Sequence, residues 1–323
     1  MLNRWQELAT AAPSPVQQLH SPLLDAKGVK LWVKRDELLR IPTASGDLAF
    51  CGNKWRKLKY NLLAQQAYPE QAILTFGGAY SNHIAAVAAA GQLFGLTTIG
   101  VIRGERAPKL STTLQQAEAH GMQLHFVRRT AYRQKQSTAF RQMLKEQFGD
   151  YQLIPEGGTN RLALEGVKEL AQELCDLPFT IDYLACAVGT GGTLAGLIAG
   201  MPVDTWIEGF SSLKGDFLKG EVQELLDQFA SGRHLPTWSI NTQFHFGGYA
   251  KWDDTLLGFM KAFYDQFEMV LDPIYTGKLF YGIWEQIRSD YFPEGSNIVV
   301  LHTGGLQGIK GFNERFGTTL ATH

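Results

Sequence analysis

Short runs of apolar residues alternate along this chain with glycine-rich turns and with segments whose apolar residues recur at helical spacing. Three of the runs lead directly into such a turn. These runs and their turns are 72–76 with 77–82, 181–188 with 189–193, and 297–302 with 303–305. Helix-like segments at 83–94 and 194–200 follow the first two turns. This order of strand, turn and helix predicts an α/β fold.

Three more short runs, at 97–101, 123–127 and 205–210, are predicted strands bounded by turn residues. In open parallel sheets, ligands gather at the carboxyl ends of the strands, and all three glycine-rich turns lie at such ends. We therefore expect the turns to converge on one cleft. A charged stretch at 130–147 is predicted to be helical and leads into a Pro/Gly cluster at 154–158, where we place a domain boundary.

Length, composition and charge narrow the class of protein. A chain of 323 residues exceeds what one hydrophobic core usually serves, which favours two domains. The net charge of −1 and the scattered basic residues give no sign of a nucleic-acid or membrane-surface partner, so small-molecule chemistry is expected. Residues 1–8 lack the apolar core of a signal peptide, and no apolar stretch approaches about 18 residues. We predict an unexported, cytoplasmic protein.

The three cysteines, Cys51, Cys175 and Cys186, are an odd number without CxxC spacing or a matching histidine pair. This pattern argues against a disulfide framework and against a zinc site. We expect ordinary buried or partly buried thiols and no metal.

A cluster of basic residues opens a predicted helix that begins at Lys54, with Asn53 as its cap. Cations at a helix start oppose the helix dipole, and Lys57 shares a face with Lys54. If Lys54 is buried beside a cationic Lys57, its charged form is disfavoured and a free amine becomes available to attack a carbonyl. The cluster alone is equally typical of a solvated basic helix face.

The turn Gly189-Thr-Gly-Gly-Thr193 lies between a strand and a helix start, where free backbone N–H groups and the helix dipole attract phosphate. It matches neither the dinucleotide fingerprint, because position 194 is leucine, nor a P-loop, because no GK[ST] follows. A tight turn without a ligand also explains it.

The turn before the alanine-rich helix ends in Ser81, Asn82 and His83. Ser81 or Asn82 can cap this helix, or the same polar groups can hold a carboxylate or a ring oxygen. His83 has no acidic partner nearby in the sequence and is more typical of a structural histidine than of a base. Tyr275, beside a glycine turn, can be an acid or a hydrogen-bond donor.

In order and spacing, the motifs together resemble the fold-type II (tryptophan synthase β-like) pyridoxal phosphate enzymes. The most similar subgroup is the D-cysteine desulfhydrase and 1-aminocyclopropane-1-carboxylate deaminase family. The matching segments are 31–36, 52–58, 77–83, 154–158, 189–193, 272–278 and 302–305, which together span nearly the whole chain. The resemblance implies two open twisted sheets flanked by helices and an active site in the cleft between two domains. It implies a large domain of residues 1–50 and 157–323 and a small inserted domain of 51–156.

The resemblance also implies the residues that bind cofactor and substrate. Lys54 is the lysine that carries pyridoxal phosphate as a Schiff base, and Lys57 is a cationic neighbour of the phosphate. The phosphate cup is formed by Gly189, Thr190, Gly191, Gly192 and Thr193. Ser81, Asn82 and His83 face the substrate carboxylate, and Asn82 also reaches the phenolic oxygen of the cofactor. Tyr275 and Tyr249 contact the substrate, and Thr276 and Thr303 lie near the pyridine nitrogen.

Three features of the chain bear on its reaction. Where cyclopropane deaminases carry Tyr-Glu, this chain has Tyr275-Thr276, as desulfhydrases do. A neutral Thr276 supplies no charge to keep the ring nitrogen protonated, so loss of a good leaving group from Cβ is favoured over ring opening. Two departures from the family lie by the expected pocket: Tyr80, where relatives usually carry Gln, and 306–308, which is Leu-Gln-Gly in place of Ala-Pro-Ala. They leave open a substrate other than D-cysteine.

The expected activity is therefore α,β-elimination of a small amino acid by a homodimer, with D-cysteine giving pyruvate, ammonia and sulfide. Lys54 or Ser81 takes the Cα proton, and Tyr275 assists departure from Cβ. The alternatives are a cyclopropane deaminase, a deaminase or racemase of other D-amino acids, and a ligand-binding descendant without catalysis.

Overall fold

The computed structural model describes residues 4–41 and 49–322. In chain order, the strands of this part are β1 (Val16–Leu19), β2 (Lys30–Lys34), β3 (Ala72–Gly77), β4 (Thr98–Arg103), β5 (Gln123–Val127), β6 (Tyr151–Ile154), β7 (Tyr183–Val188), β8 (Trp206–Ser211), β9 (Trp238–Asn241) and β10 (Asn297–Leu301). They form two separate sheets.

Helices flank both sheets. In chain order they are α1 (Arg4–Ala9), α2 (Pro22–Lys27), α3 (Gly52–Gln65), α4 (Asn82–Phe94), α5 (Thr112–Ala119), α6 (Arg129–Tyr132), α7 (Thr138–Phe148), α8 (Arg161–Cys175), α9 (Gly192–Gly200), α10 (Leu218–Phe229), α11 (Asp254–Phe267), α12 (Thr276–Arg288) and α13 (Gly308–Phe316). Short 3₁₀ helices lie at Asp36–Leu38 and Glu156–Gly158. None of the helices in the described ranges is both long and apolar enough to cross a bilayer.

The larger sheet has the strand order β1-β2-β10-β7-β8-β9 and the smaller one β5-β4-β3-β6. All neighbouring strands are parallel except β1 and β2. The small sheet uses strands from 72–154 only, and the large sheet uses strands on either side of that range. The predicted α/β fold with two sheets is thus confirmed. The exact domain limits stay a prediction, and residues 1–3, 42–48 and 323 of the predicted large domain lie outside the described residues.

The predicted strands are present with ends that agree within two residues. The charged stretch at 130–147, however, forms two helices and not one. Helix α6 ends at Tyr132, and α7 begins at Thr138 because the Ser137 hydroxyl accepts a hydrogen bond from Phe140 N at 3.2 Å. Of the three cysteines, Cys51 and Cys186 are buried but Cys175 is exposed, contrary to expectation.

The alanine-rich helix α4 is buried from His83 to Gly91, which explains why it has apolar residues on every side. Ser81 is its N-cap, since the Ser81 hydroxyl accepts a hydrogen bond from Ile84 N at 3.3 Å. The capping role proposed for Ser81 is confirmed. The cap holds the polar turn before α4 in a fixed position at the end of β3.

Helix α3 begins at Gly52, with Cys51 in the cap position, so the predicted start at Lys54 with an Asn53 cap is wrong. The backbone N–H groups of the first turn bind elsewhere in the fold: Gly52 N donates to Leu39 O at 3.0 Å and Asn53 N to Thr303 O at 3.1 Å. The Asn53 side chain accepts a hydrogen bond from the Thr193 hydroxyl at 2.7 Å. These contacts tie the start of α3 to the ends of strands in the large sheet.

Candidate active site

A cavity of about 610 Å³ opens where the carboxyl ends of β3, β7 and β10 approach one another. Residues from all three glycine-rich turns line it, so the expected convergence of the turns is confirmed. The site residues proposed from the sequence that line the cavity are Lys54, Lys57, Ser81, Asn82, His83, Gly189, Thr190, Gly191, Gly192, Thr193, Tyr249, Tyr275 and Thr303. Thr276 is not among the lining residues.

Lys54 lies in the first turn of α3, at the cavity wall. Its Nζ atom is 3.5 Å from Gly157 O and forms no ion pair with a carboxylate in the part of the chain that the structure describes. Burial lowers the pKa of Lys54 to about 8. About a tenth of this amine is therefore uncharged at pH 7, far more than for an exposed lysine, and the uncharged amine is the form that attacks a carbonyl.

Lys57 lies one turn further along α3 and is buried, whereas Lys54 is half-buried at the cavity wall. Burial, and then the charge of Lys54, lower the pKa of Lys57 well below its ordinary value. Lys57 Nζ donates a hydrogen bond to the Thr159 hydroxyl at 2.9 Å and forms no ion pair within the described residues. The basic cluster is therefore not a solvated helix face.

The turn 189–193 presents its backbone to Lys57. Gly191 is the cap of α9 and has a φ of 73°, a left-handed conformation that glycine adopts readily. A Cβ atom at position 192 would lie 2.6 Å from Thr159 Oγ1 and 3.1 Å from Lys57 Nζ, so only glycine fits there. A helix start, exposed N–H groups and a lysine amine thus meet at one point, an arrangement that binds phosphate.

Ser81 and Asn82 enter the cavity from the opposite side. Because the Ser81 oxygen accepts from Ile84 N, the Ser81 hydroxyl proton is available to donate into the cavity. Asn82 Oδ1 accepts a hydrogen bond from Gln307 Nε2 at 3.0 Å. This contact fixes the amide so that its NH₂ group is the part left to bind another acceptor.

His83 is buried and neutral. Its Nε2 lies 2.8 Å from the Thr75 hydroxyl, which itself donates to Ile154 O at 2.7 Å, so Nε2 carries the proton. Burial, and then the charges of Lys54 and Lys57, lower the pKa of His83 well below its ordinary value. His83 Nδ1 is buried without a partner among the described residues. The hydrogen bond to Thr75 holds the ring as in a structural histidine, and Nδ1 remains able to accept a hydrogen bond.

Tyr249 and Tyr275 lie side by side at the cavity, with ring centroids 6.2 Å apart. Burial raises the pKa of Tyr275 well above its ordinary value, and the neighbouring Tyr249 and Asp272 add to the effect. Burial also raises the pKa of Tyr249. Both phenols are therefore protonated at neutral pH and act as donors.

Thr276 and Thr303 differ in position. Thr303 lines the cavity just beyond β10. The Thr276 side chain is fully buried at the start of α12, where its hydroxyl accepts a hydrogen bond from Asp272 N at 2.7 Å. Thr276 does not line the cavity, and its predicted place at the cofactor stays a prediction.

Several residues of the site were not proposed from the sequence. Asp272 is buried beneath Tyr275, and its carboxylate accepts hydrogen bonds from Ile274 N at 3.0 Å and Tyr275 N at 2.7 Å. The Asp-Pro pair before Tyr275 is a turn signal that could have indicated this role. Gln307, Glu156 and three arginines also line the cavity, the arginines being Arg103, Arg129 and Arg315. Nothing in the local sequence marks the arginines, whereas Gln307 lies in the 306–308 segment expected near the pocket and Glu156 in the 154–158 cluster.

The residues present fit pyridoxal phosphate, the cofactor that the sequence resemblance implies. Two enclosed amines that have no carboxylate partner among the described residues suit a group that carries an aldehyde and a phosphate. The close approach at Gly192 leaves bare backbone facing the Lys57 amine, which suits the phosphate. Lys54, on the preceding turn of the same helix, faces the body of the cavity.

Comparisons with known proteins agree with this geometry. A family model described as pyridoxal-phosphate dependent enzyme matches residues 9–304. A mitochondrial bifunctional D-cysteine desulfhydrase/1-aminocyclopropane-1-carboxylate deaminase of Arabidopsis thaliana is 30% identical, covering 92% of this chain and 77% of that protein. A putative 1-aminocyclopropane-1-carboxylate deaminase of Pyrococcus abyssi is 28% identical over 93% of this chain and 92% of its own. The crystal structure of an ACC deaminase homologue superposes with a TM-score of 0.77 at 25% identity, covering 98% of both chains.

Proposed function

Because the chain belongs to the family of pyridoxal-phosphate dependent enzymes, in its deaminase and desulfhydrase-like branch, we propose that it catalyses α,β-elimination of D-cysteine. Water is the co-reactant, and the products are pyruvate, ammonia and hydrogen sulfide. The family uses pyridoxal phosphate and binds small amino acids. The substrate and the residue roles that follow belong to the proposal.

Lys54 binds the cofactor covalently, and the 189–193 turn holds its phosphate together with Lys57. Asn82 and Thr303 hold the ring, at its phenolic oxygen and pyridine nitrogen respectively. When bound, pyridoxal phosphate supplies an electron sink for the bonds at the substrate Cα. The lowered pKa of Lys54 supports its part, because a neutral amine is the reactive form.

The polar turn before α4 binds the substrate carboxylate. The Ser81 hydroxyl and the Asn82 NH₂ group are both available donors, and exposed backbone N–H groups at the start of α4 add to them. His83 is neutral and offers no charge, so its part is to shape the pocket beside Lys54.

Proton transfer uses Lys54 or Ser81 on one side and Tyr275 on the other. Either Lys54 Nζ or Ser81 Oγ takes the Cα proton, and the stereochemistry of the substrate decides which of them meets it. The Tyr275 hydroxyl donates a hydrogen bond to the departing sulfur. Its raised pKa keeps the proton on Tyr275 until it is needed.

One observation favours elimination over ring opening of the cyclopropane amino acid. Among the described residues that line the cavity, Glu156 is the only carboxylate, and it pairs with Lys135 at 3.3 Å. At Thr303, where the pyridine nitrogen is expected, the lining provides a hydroxyl and no acid. A neutral partner leaves the electron sink weak, which suffices for a good leaving group such as thiolate.

A panel of D-cysteine, L-cysteine and 1-aminocyclopropane-1-carboxylate tests the proposal. We expect pyruvate and sulfide in equal amounts from D-cysteine, and little 2-oxobutyrate from the cyclopropane substrate. Release of 2-oxobutyrate as the faster reaction would contradict the proposal and identify a cyclopropane deaminase. Other D-amino acids extend the panel to the remaining deaminases and racemases.

The homodimer and the cytoplasmic location implied earlier stay predictions. Light scattering of the purified holoenzyme tests the homodimer, and fractionation of cells tests the cytoplasmic location.

A further inference from the structure

The segment between β9 and α11 contains an unusual run of left-handed backbone. Phe246, Gly247, Gly248 and Ala250 have φ angles of 52°, 87°, 116° and 54°. Such angles are unfavourable for the two residues that have side chains, so the surrounding structure must hold them. Tyr249, the fourth residue of this segment, has no positive φ, and we call the whole segment the 246–250 loop.

Lys278, in the first turn of α12, is the side chain that holds the loop. It is 1% exposed, and its Nζ atom donates to Gly248 O at 2.7 Å and to His245 O at 2.8 Å. These two carbonyls lie on either side of the left-handed pair Phe246 and Gly247. One ammonium group therefore closes the turn immediately before Tyr249.

The charge of Lys278 is held by backbone dipoles and not by an ion pair within the described residues. Burial lowers its pKa to about 8, and Asp272 acts in the opposite direction. The amine is thus still mostly charged at neutral pH. Ammonium-to-carbonyl hydrogen bonds are stronger than neutral ones, so they can maintain strained backbone that weaker contacts would release.

The loop has one direct connection to the rest of the cavity, through Tyr249. The Tyr249 hydroxyl donates to Tyr80 O at 3.4 Å, in the turn that carries Ser81, and its ring lies against Tyr275. A shift of the loop would therefore displace a ring that borders both the proposed carboxylate site and the proposed acid. No cavity-lining atom comes from Lys278 itself.

We propose that Lys278 is a positioning residue that clamps the 246–250 loop and thereby sets the place of the Tyr249 ring in the substrate pocket. The proposal rests on the proposed function in one respect, the contact of Tyr249 with substrate. Lys278 touches neither substrate nor cofactor.

The test compares Lys278→Met with Tyr249→Phe and with the double variant, all as holoenzymes. We expect Lys278→Met to accelerate amide hydrogen exchange in 244–251 and to reduce kcat/KM for D-cysteine by about 10- to 100-fold, a size typical of a displaced site group. The reduction should lie mainly in KM. The kcat/KM of the double variant should lie within about twofold of the kcat/KM of the less active single variant, because both changes act through one ring.

Lys59→Met is the matched control. Lys59 is a buried lysine on α3 that pairs with Glu169 at 2.8 Å and does not line the cavity. Its loss should lower thermal stability without changing exchange in 244–251 or kcat/KM. Lys278→Gln, which keeps two N–H donors without the charge, should give an intermediate result and replaces Lys278→Met if that variant does not fold.

Unchanged exchange in 244–251 would overturn the clamp, as would faster exchange spread over the whole chain. Additive effects of Lys278→Met and Tyr249→Phe would show that Lys278 does not act through Tyr249. If the wild-type enzyme does not turn over D-cysteine, the proposed function fails, but the exchange measurement still decides whether Lys278 holds the loop.

Discussion

The two sides of helix α3 carry buried cations in opposite circumstances. On one side, Arg56 binds the Asp36 carboxylate at 2.7 Å and the Glu173 carboxylate at 2.8 Å, and Lys59 binds Glu169 at 2.8 Å. On the other side, Lys54 and Lys57 face the cavity without any carboxylate partner in the described structure. Removing the cation of a buried ion pair destabilises a fold because it leaves an uncompensated charge, whereas enclosed cations without a counter-charge indicate where an anionic ligand binds.

The pKa shifts express the same difference. Burial alone would lower the pKa of Arg56, but Asp36 and Glu173 outweigh it and raise the pKa above its ordinary value. Burial lowers the pKa of Lys54 to about 8 because no carboxylate opposes it. The fold thus keeps one side of α3 charged and makes the other side reactive.

The largest expected effect is on activity, at Lys54. Lys54→Ala should remove the visible absorbance of the bound cofactor and reduce turnover by at least about 10³-fold, within the range for a lost acid–base group. Spectra and pyruvate release of the purified variant measure this. Lys59→Ala, on the paired side, is the control and should keep the absorbance. A yellow, active Lys54→Ala enzyme would disprove the assignment of Lys54.

The next effect is on stability, at Arg56. Arg56→Met leaves the fully buried Asp36 carboxylate without its cation, so the free energy of unfolding should fall by about 3–5 kcal/mol. Denaturant unfolding measures the change. Adding Asp36→Asn should recover part of the loss, since the uncompensated charge is then gone. If Arg56→Met lowers the free energy of unfolding by less than about 1 kcal/mol, the fold does not depend on the paired side of α3 and the contrast between its two sides fails.

Lys57 should affect cofactor binding more than stability. Lys57→Met removes the cation beside the phosphate turn, so we expect pyridoxal phosphate to bind the apoprotein about 10- to 100-fold more weakly. The same change removes a buried charge that has no counter-charge among the described residues, so it should not destabilise the fold. Titration of apoprotein followed by absorbance gives the affinity. The unfolding free energy of the apoprotein should not decrease. Equal affinity in variant and wild type would place the phosphate elsewhere.

The smallest effect is a pH dependence of the apoprotein. The pKa of Lys54 is about 8 in the fold and 10.5 ordinarily, so the folded chain binds fewer protons than the unfolded chain between these values. Unfolding free energy should therefore rise with pH across this window, by about 1–3 kcal/mol from Lys54. Lys54→Met should reduce the rise. An equal rise in the variant would show that Lys54 is not buried.

Much of the framework could be predicted from the sequence because its signals are local. Apolar runs and glycine turns located the strands, and the Ser81 cap followed from residue type and position. The start of α3 could not be predicted in this way. The N–H groups of Gly52 and Asn53 bind Leu39 and Thr303, and contacts between segments so far apart leave no local pattern.

The same limit applies to the site. The resemblance proposed Lys54 and Lys57, but only the packing of α3 shows which basic residues of the helix are paired. Thr276 was expected at the cofactor because it occupies the position of the deaminases' Glu; in the fold, the first turn of α12 directs its hydroxyl to Asp272 N. Gln307 and Lys278 bind residues far away in sequence, Asn82 and Gly248, so neither contact could be predicted without the fold.

The position of β10 between β2 and β7 has a consequence for how the protein is made. Residues 72–154 emerge from the ribosome early in synthesis, so the small sheet can form while synthesis continues. The large sheet cannot close until the last strand has emerged, and until then β2 and β7 expose edges that can pair with other chains. Thr303 follows that strand directly. A nascent chain therefore carries Lys54 long before it has a finished cofactor site, and we expect the completed pocket to appear only after β10 has emerged.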